Sequence, residues 1–296
     1  MMISGFSFVR NANKYCFPVV ESITSVLPVV GEFVVVVVRS EDDTRESVAA
    51  IGSDKVKIID CEWPESIEAG QHVYSQLTNL ALSHCKGDWC FYLQADEVVH
   101  EDDLPKIQSA CERWLGDNRV EGLLFDYLHF WGDYKHCQSG HGWYKREIRI
   151  VRNGLGIRSK GDAQSFRHVD KRKLTAALSG ARIFHYGYAR PPGVMRAKAT
   201  SSEKIYHGDG ARVDESPEFD YGPLARLAIF TGTHPALMKE RISHMDWQSK
   251  LRDADPPGMV RELYKDERFK YRFLTAVENW TGLDLGHKSY RRIIRG

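Results

Sequence analysis

The chain has 296 residues, 42% hydrophobic and 27% charged, the ordinary composition of a soluble globular protein of one large domain or one domain with an appendage. A formal net charge of +1 argues against nucleic acid as the main partner, because phosphate binding leaves a basic footprint. The N-terminus has no basic segment leading into a long apolar run, so no signal peptide is expected, and Phe33 to Val38 is far shorter than the roughly 20 residues that span a bilayer.

In chain order, residues 3–9 read as a first strand. Pro18 suits the first turn of a helix running to about Leu27, with Val19, Ile23, Val26 and Leu27 apolar at helical spacing. Phe33 to Val38 is β-branched without alternation, which fits a strand buried on both faces of a parallel sheet. Ser40 to Thr44 makes a polar turn and a helix cap. Val56 to Ile59 is a short third strand, Ala69 to Cys85 a helix, and Trp89 to Leu93 a fourth strand. Asp102 or Asp103 caps a helix ending near Leu115. This alternation predicts a three-layer α/β/α domain with a mostly parallel sheet. Beyond residue 118, Gly122 to Trp131, Glu147 to Arg152 and Arg182 to Tyr188 read as strands. From Pro191 the pattern is Pro/Gly-punctuated and then helical. The expected organisation is a catalytic domain over 1–190, divided near 118, and a mainly helical C-terminal extension over 191–296. Six scattered cysteines without a C-x-x-C pair read as reduced thiols in a cytoplasmic protein.

The most informative feature is the fourth strand, where an apolar run stops at Gln94-Ala95-Asp96-Glu97. A buried strand delivers carboxylates at its C-terminal end, where ligands of open α/β sheets bind. Hard cations are held there together with substrate phosphates. Neither G-x-x-x-x-G-K-[ST] nor G-x-G-x-x-G follows the first strand, which argues against P-loop and dinucleotide enzymes. The first strand instead ends in Arg10-Asn11 and the second in Ser40-x-Asp42-x-Thr44, at the same sheet edge as Asp96.

This ordered set resembles the family 2 glycosyltransferases. It comprises Arg10-Asn11, Ser40-x-Asp42-x-Thr44, Asn79-x-Ala81 followed by Gly87-Asp88-Trp89, and Gln94-Ala95-Asp96-Glu97 as a form of the D-x-D motif. The resemblance covers roughly residues 1–190. It implies the glycosyltransferase A fold and a metal-assisted inverting transfer of a sugar from a nucleoside-diphosphate sugar, UDP-linked by family habit. It implies Arg10, Asn11, Ser40, Asp42, Asn79, Gln94, Ala95 and Asp96 as donor-site residues. Asp96 and His185 would be ligands of Mn²⁺ or Mg²⁺, and a glycan, glycolipid or other hydroxyl compound the acceptor. Two positions depart from the pattern: Gln94 stands where the family often has its first Asp, and Val38-Arg39 offers no acid for the base.

An inverting transfer needs a carboxylate near the acceptor hydroxyl. Asp162, in a Gly-flanked loop, is the first candidate; Glu147 at a strand start and Asp126 within a strand are alternatives. Arg149 or Arg152 is placed to offset diphosphate charge, or to be a solvated strand arginine. His129, His136, Cys137 and His141 are zinc-ligand types, in a spacing that matches no finger. Trp131, Tyr134, Trp143 and Tyr144 offer faces for sugar rings, or else pack in a core or lid. The basic, partly apolar residues Ser289 to Gly296 read as a solvated tail or a peripheral membrane contact. Two other functions fit less of the pattern: a non-catalytic nucleotide- or carbohydrate-binding relative, and a sugar-phosphate nucleotidyltransferase. The latter expects a glycine-rich loop where Arg10 to Lys14 has none.

Overall fold

The computed structural model describes residues 1–63, 72–212, 214–286 and 288–293. Strands and helices alternate through its first part: β1 (Ile3–Val9), α1 (Val19–Val26), β2 (Glu32–Val38), α2 (Thr44–Ala49), β3 (Val56–Cys61), α3 (His72–Ser83) and β4 (Trp89–Tyr92). There follow β5 (Glu97–Val98), α4 (Leu104–Leu115), β6 (Gly122–Trp131), β7 (His136–Gln138), β8 (Arg146–Arg152), β9 (Ile157–Lys160), β10 (Ser165–His168) and β11 (Thr175–Tyr188). Residues 69–71 of the predicted third helix lie outside the described residues.

β3, β2, β1 and β4 lie side by side in that order, all parallel. β8 joins antiparallel to β4 and to β6, and β6 runs parallel to β11. The longest ladders are parallel, so the sheet is mostly parallel, as expected. β2 shows why its run of valines does not alternate with polar residues. Phe33, Val35 and Val37 pack into one core with Ile23 and Val26 of α1 and Ile107 and Cys111 of α4. Val34, Val36 and Val38 pack into the other with Leu77 and Ala81 of α3. Both faces of the strand are covered, which gives the three-layer arrangement. Each such fully buried side chain contributes about 1.5–3 kcal/mol.

β11 is twice the length read from the sequence. Ala176, Ala177 and Leu178 pair with Gly122 to Leu124 before a register shift, and the Arg182–Phe184 ladder follows it. Alanine carries little strand propensity, so the first half gave no signal. The remaining chain forms α5 (Pro192–His207), β12 (Ala228–Ile229), α6 (Lys239–Ser243), α7 (Phe269–Thr281) and β13 (Arg291–Arg292). The expected helical extension is therefore helical chiefly in α5 and α7. Pro217, Pro223, Pro235, Pro256 and Pro257 punctuate the rest, each removing a helix donor. Nor is it a detached appendage: β12 pairs with β7, β13 pairs with β11, and Met238 and Trp247 share a core with Phe130 and Phe184. The expected basic tail is tied down as well. Ser289 and Tyr290 are buried before β13, while Ile294 to Gly296 lie outside the described residues. Among the described residues no helix is long and apolar enough to cross a membrane, and all six cysteines are unpaired.

One buried ion pair fixes the turn between β4 and β5 against β8. Arg149 grips Glu97 with two bonds, Nη2 to Oε1 at 2.7 Å and Nε to Oε2 at 2.9 Å. Both side chains are fully buried. Tyr127 Oη donates to Glu97 Oε1, and the backbone N–H of Gln94 donates to Glu97 Oε2. Removing one partner strands a charge in the core, so Arg149→Met is expected to cost about 3–5 kcal/mol in urea unfolding. The double variant Glu97→Gln/Arg149→Met is expected to recover much of that loss. Equal losses in single and double variants would deny the pair its role.

Candidate functional site

The turn after β4 carries Asp96 to the C-terminal edge of the parallel strands, where it lines a cavity of about 340 Å³. That volume lies within the range of small-molecule sites. Arg10 and Asn11 after β1 line it too, with Gln94, Ala95, Asp162, His185 and the α5 residue Lys198.

Asp96 is the electrostatic centre. Its Oδ2 accepts from Lys198 Nζ at 3.3 Å and lies 3.9 Å from Arg190 Nη2, and its Oδ1 lies 3.8 Å from His185 Nε2. Burial alone would raise this carboxyl, but the charges of Lys198, His185 (protonated at such low pH) and Arg190 outweigh it and hold the group at about 2. Lys198 is brought down to about 8 by burial and by the neighbouring Arg190, partly offset by Asp96. Sequence reasoning missed both cations. They lie beyond the recognised motifs, and only the return of α5 across the sheet edge brings Lys198 in.

His185 sits between two strands. It is in register with Glu97 of β5 on one side and His129 of β6 on the other. His129 Nε2 lies 2.9 Å from the Tyr144 carbonyl, an acceptor only, so that nitrogen carries the proton. His129 Nδ1 then accepts from His185 Nδ1 at 3.0 Å. His185 Nε2 is left with a free lone pair on the side of Asp96. Metal-binding histidines are oriented by this kind of outer hydrogen bond. Gly187 keeps the space open, because a Cβ there would lie 2.4 Å from His185 Nε2 and 3.0 Å from Asp96 Oδ2. A proton-free carboxylate oxygen and imidazole nitrogen, converging on the space that a Cβ at position 187 would fill, are a suitable partial donor set for a divalent cation. Among the described residues no group of three or more His, Cys, Asp or Glu is placed to hold a metal, so other ligands would have to complete the shell.

The remaining predicted residues divide into those on the cavity and those behind it. Gln94 lines it, its amide directed to Tyr92 Oη at 3.5 Å and the Ala163 carbonyl at 3.4 Å. Asn11, at φ 53°, is fixed by Ser40, whose Oγ accepts its N–H, and its own Oδ1 accepts from the Glu41 N–H. Ser40 and Asp42 thus support the Arg10-Asn11 turn instead of lining the cavity; Asp42 accepts from Lys14 N and from Thr44. Asn79 pairs with the backbone of Ser159 and so holds β9, again behind the site. Asp162 is exposed at the cavity wall. Glu147 is elsewhere. It is buried against Ser289, with Oε2 unpartnered, and burial pushes its carboxyl upward despite the Ser289 hydroxyl and Arg149. It reaches no acceptor in this cavity. Asp126 is taken by Arg146, Arg149 by Glu97, and Arg152 by backbone carbonyls near Trp114.

Of the expected sugar-binding aromatics, Trp143 and Tyr144 line the cavity. Trp131 stacks on Tyr188 at 4.6 Å, and Tyr134 is core. Tyr15, Phe17, Trp63, Tyr74, Tyr188 and Tyr206 also line it, with Arg10 lying 4.3 Å over the Trp63 ring. The zinc-type residues are dispersed: His136 pairs with Asp133, His141 with Glu278, and Cys137 is in the core.

No protein-family model matches the chain, and no curated protein matches it. Among solved structures, residues 1–349 of S. aureus TarS are similar with a TM-score of 0.35 and 18% identity, covering 52% of this chain and 48% of that one. A longer TarS structure gives 0.41 and 15%, over 69% and 39%. Glucosyl-3-phosphoglycerate synthase from Mycobacterium tuberculosis, solved with Mn²⁺, UDP and phosphoglyceric acid, gives 0.31 and 18%, over 43% of each chain. The chain thus spans less than half the length of these proteins, and likeness at this level assigns it no activity.

Burial holds His129 at about 3, helped by repulsion from His185, and holds His185 at about 4, only partly opposed by Asp96. Unfolded, both imidazoles return toward 6.5, so the unfolded chain binds more protons below that pH. The stabilising contribution is complete above pH 6.5 and is lost as pH falls toward 4. Urea midpoints measured across that window are expected to fall steeply, and less steeply in His129→Gln. A flat profile would mean the rings are not buried neutral.

Proposed function

We propose that the chain is a nucleotide-sugar-dependent glycosyltransferase of the glycosyltransferase A type, inverting, with a UDP-linked donor as the first expectation. The observation that carries this reading is a charge imbalance. Lys198 and Arg190 share one carboxylate, Asp96, while His129 and His185 are neutral and Arg149 is matched by Glu97. The surroundings of Asp96 therefore hold one positive charge more than that carboxylate neutralises, with Lys198 on the cavity and Arg190 buried behind it, at a strand edge suited to phosphates. A buried charge without a partner is costly, so an anionic group is the matching ligand. Arg190 Nε is moreover a buried donor with no partner.

In this reading the nucleoside lies toward Arg10, Asn11, Trp63 and Tyr74, and the diphosphate toward Asp96 and Lys198. Asp96 and His185 would hold Mn²⁺ or Mg²⁺, which supplies Lewis-acid stabilisation of the leaving diphosphate. Asp162 takes the proton of the acceptor hydroxyl. That oxygen bonds to the anomeric carbon from the face opposite the diphosphate, and the nucleoside diphosphate leaves with the bonding electron pair. Lys198 and Arg190 offset the charge that develops on it. Trp143 and Tyr144 offer a flat wall for the acceptor.

The test is a thermal-shift screen with UDP, GDP, CDP and TDP, each with and without Mn²⁺, followed by transfer assays with the sugar forms of whichever binds. A ligand selective for the folded state raises the midpoint by mass action. With Mn²⁺, one nucleotide is expected to give a shift that Asp96→Asn reduces, whereas Lys198→Met is expected to reduce the shift with or without the metal. Asp162→Asn is expected to keep the shift while turnover falls by about 10²–10⁴, the usual worth of a general base. Absence of a shift with every nucleotide would remove the donor assignment. A shift that does not depend on Mn²⁺, without turnover, would favour the non-catalytic relative.

A further inference from the structure

Helix α7 buries a charged residue and exposes aromatic ones. Its inward face carries Glu278 and Thr275 beside Tyr271, whose ring lies 5.9 Å from that of His141. Glu278 is buried, its carboxylate accepting from His141 Nδ1 at 3.1 Å and pairing with Lys145 at 3.0 Å. Thr275 Oγ1 accepts from the His141 backbone N–H at 2.8 Å. Its outward face is aromatic. Phe269, Phe273 and Trp280, at i, i+4 and i+11, fall on one stripe of a 3.6-residue helix. They are 84%, 57% and 88% exposed. Phe269 and Phe273 stack on each other, with ring centroids 6.2 Å apart. Leu283 and Leu285, just past the left-handed C-cap Gly282, are exposed as well, with the half-buried Asp284 between them. Contiguous exposed apolar surface of this kind marks an interaction site.

Charge decides what covers it. Lys270 and Arg272 flank the stripe on its two sides, and Arg268 precedes it, all exposed. The one acidic residue of α7, Glu278, is turned inward. Lys288, Arg291 and Arg292 follow, also exposed. A helix with an aromatic face and basic flanks matches the interface of an anionic bilayer, with rings among the acyl boundary and cations at the headgroups. A second copy fits worse. A two-fold pairing through the stripe would bring Lys270 and Arg272 of both copies to one seam.

We propose that α7 is the surface by which this protein seats peripherally on an anionic lipid membrane. The proposal does not depend on the reading of the cavity. It moves the membrane contact from the basic tail, whose strand β13 is tied to the sheet, to the aromatic helix preceding it.

The test is co-sedimentation of the full chain with vesicles of phosphatidylcholine alone and of phosphatidylcholine with phosphatidylglycerol, at low and high salt. Binding is expected only with phosphatidylglycerol and is expected to weaken with salt. Phe269→Ser/Phe273→Ser/Trp280→Ser and, separately, Lys270→Glu/Arg272→Glu are each expected to lower binding roughly tenfold or more. Thermal melts are expected to stay unchanged, because neither set of side chains supports the fold. Should the aromatic variant fail to fold, the charge-reversal variant decides alone. Failure to bind phosphatidylglycerol vesicles at low salt, or undiminished binding by the variants, would overturn the proposal. So would a wild-type dimer in light scattering that the aromatic variant converts to monomer, since the occupant would then be a second copy.

Discussion

The bidentate grip of Arg149 on Glu97 is the constraint on which the site depends. An ion pair so deeply buried is not an efficient source of stability, because desolvating both ions costs several kcal/mol before they attract. Its value here is positional. Glu97 follows Asp96 directly, and its carboxylate also receives the Gln94 N–H. The turn that presents Asp96 is thus pinned from below. The same guanidinium donates Nη1 to the Gln164 carbonyl at 2.8 Å, two residues past Asp162. One arginine therefore sets the relative positions of the turn bearing Asp96 and the loop bearing Asp162. The rings of Tyr92 and Tyr127 lie 5.4 and 5.1 Å from it and complete its enclosure.

From that fixed turn the histidine relay follows by register. β11 runs between β5 and β6, so His185 has Glu97 and His129 as lateral neighbours without any loop having to place them. Strand pairing is stiffer than a loop, and the His185 ring inherits that stiffness. Its proton is assigned by a chain that ends at the Tyr144 carbonyl, beside the cavity-lining ring of the same residue. A change in the 139–145 segment would therefore reach Asp96 through two imidazoles.

The first four strands were legible because a doubly covered sheet demands runs such as Phe33 to Val38, and two cores leave no other pattern. The Asp96 turn was legible for the same reason: the apolar run of β4 has to stop where the strand leaves the core. What was not legible depended on long-range return of the chain. Lys198 is an unremarked lysine in a helix whose own pattern is weakly amphipathic, and it becomes a site residue only by proximity to Asp96. Glu147 illustrates the converse. Its place at a strand start resembled that of a catalytic acid, but strand alternation turns it toward Ser289, away from the cavity. Ser40, Asp42 and Asn79 carried a recognisable pattern because the turn and β9 need them, and that pattern did not distinguish lining a cavity from bracing its wall.

Gln94 and Lys198 are best understood together. The Gln94 amide donates toward the Ala163 carbonyl, an acceptor that a carboxylate in the same place could only repel. The loop carrying Asp162 thus asks for an amide at position 94, and the site loses a negative charge by supplying it. A carboxylate at position 94 would add a negative charge to the same cavity; with Gln94, the carboxylate beside Lys198 and Arg190 is Asp96. A nucleoside diphosphate entering this cavity would supply the missing negative charge itself. It would then rely less on a metal ion for charge compensation than at a site built on two acids, and more on the ammonium group that α5 carries across the sheet edge.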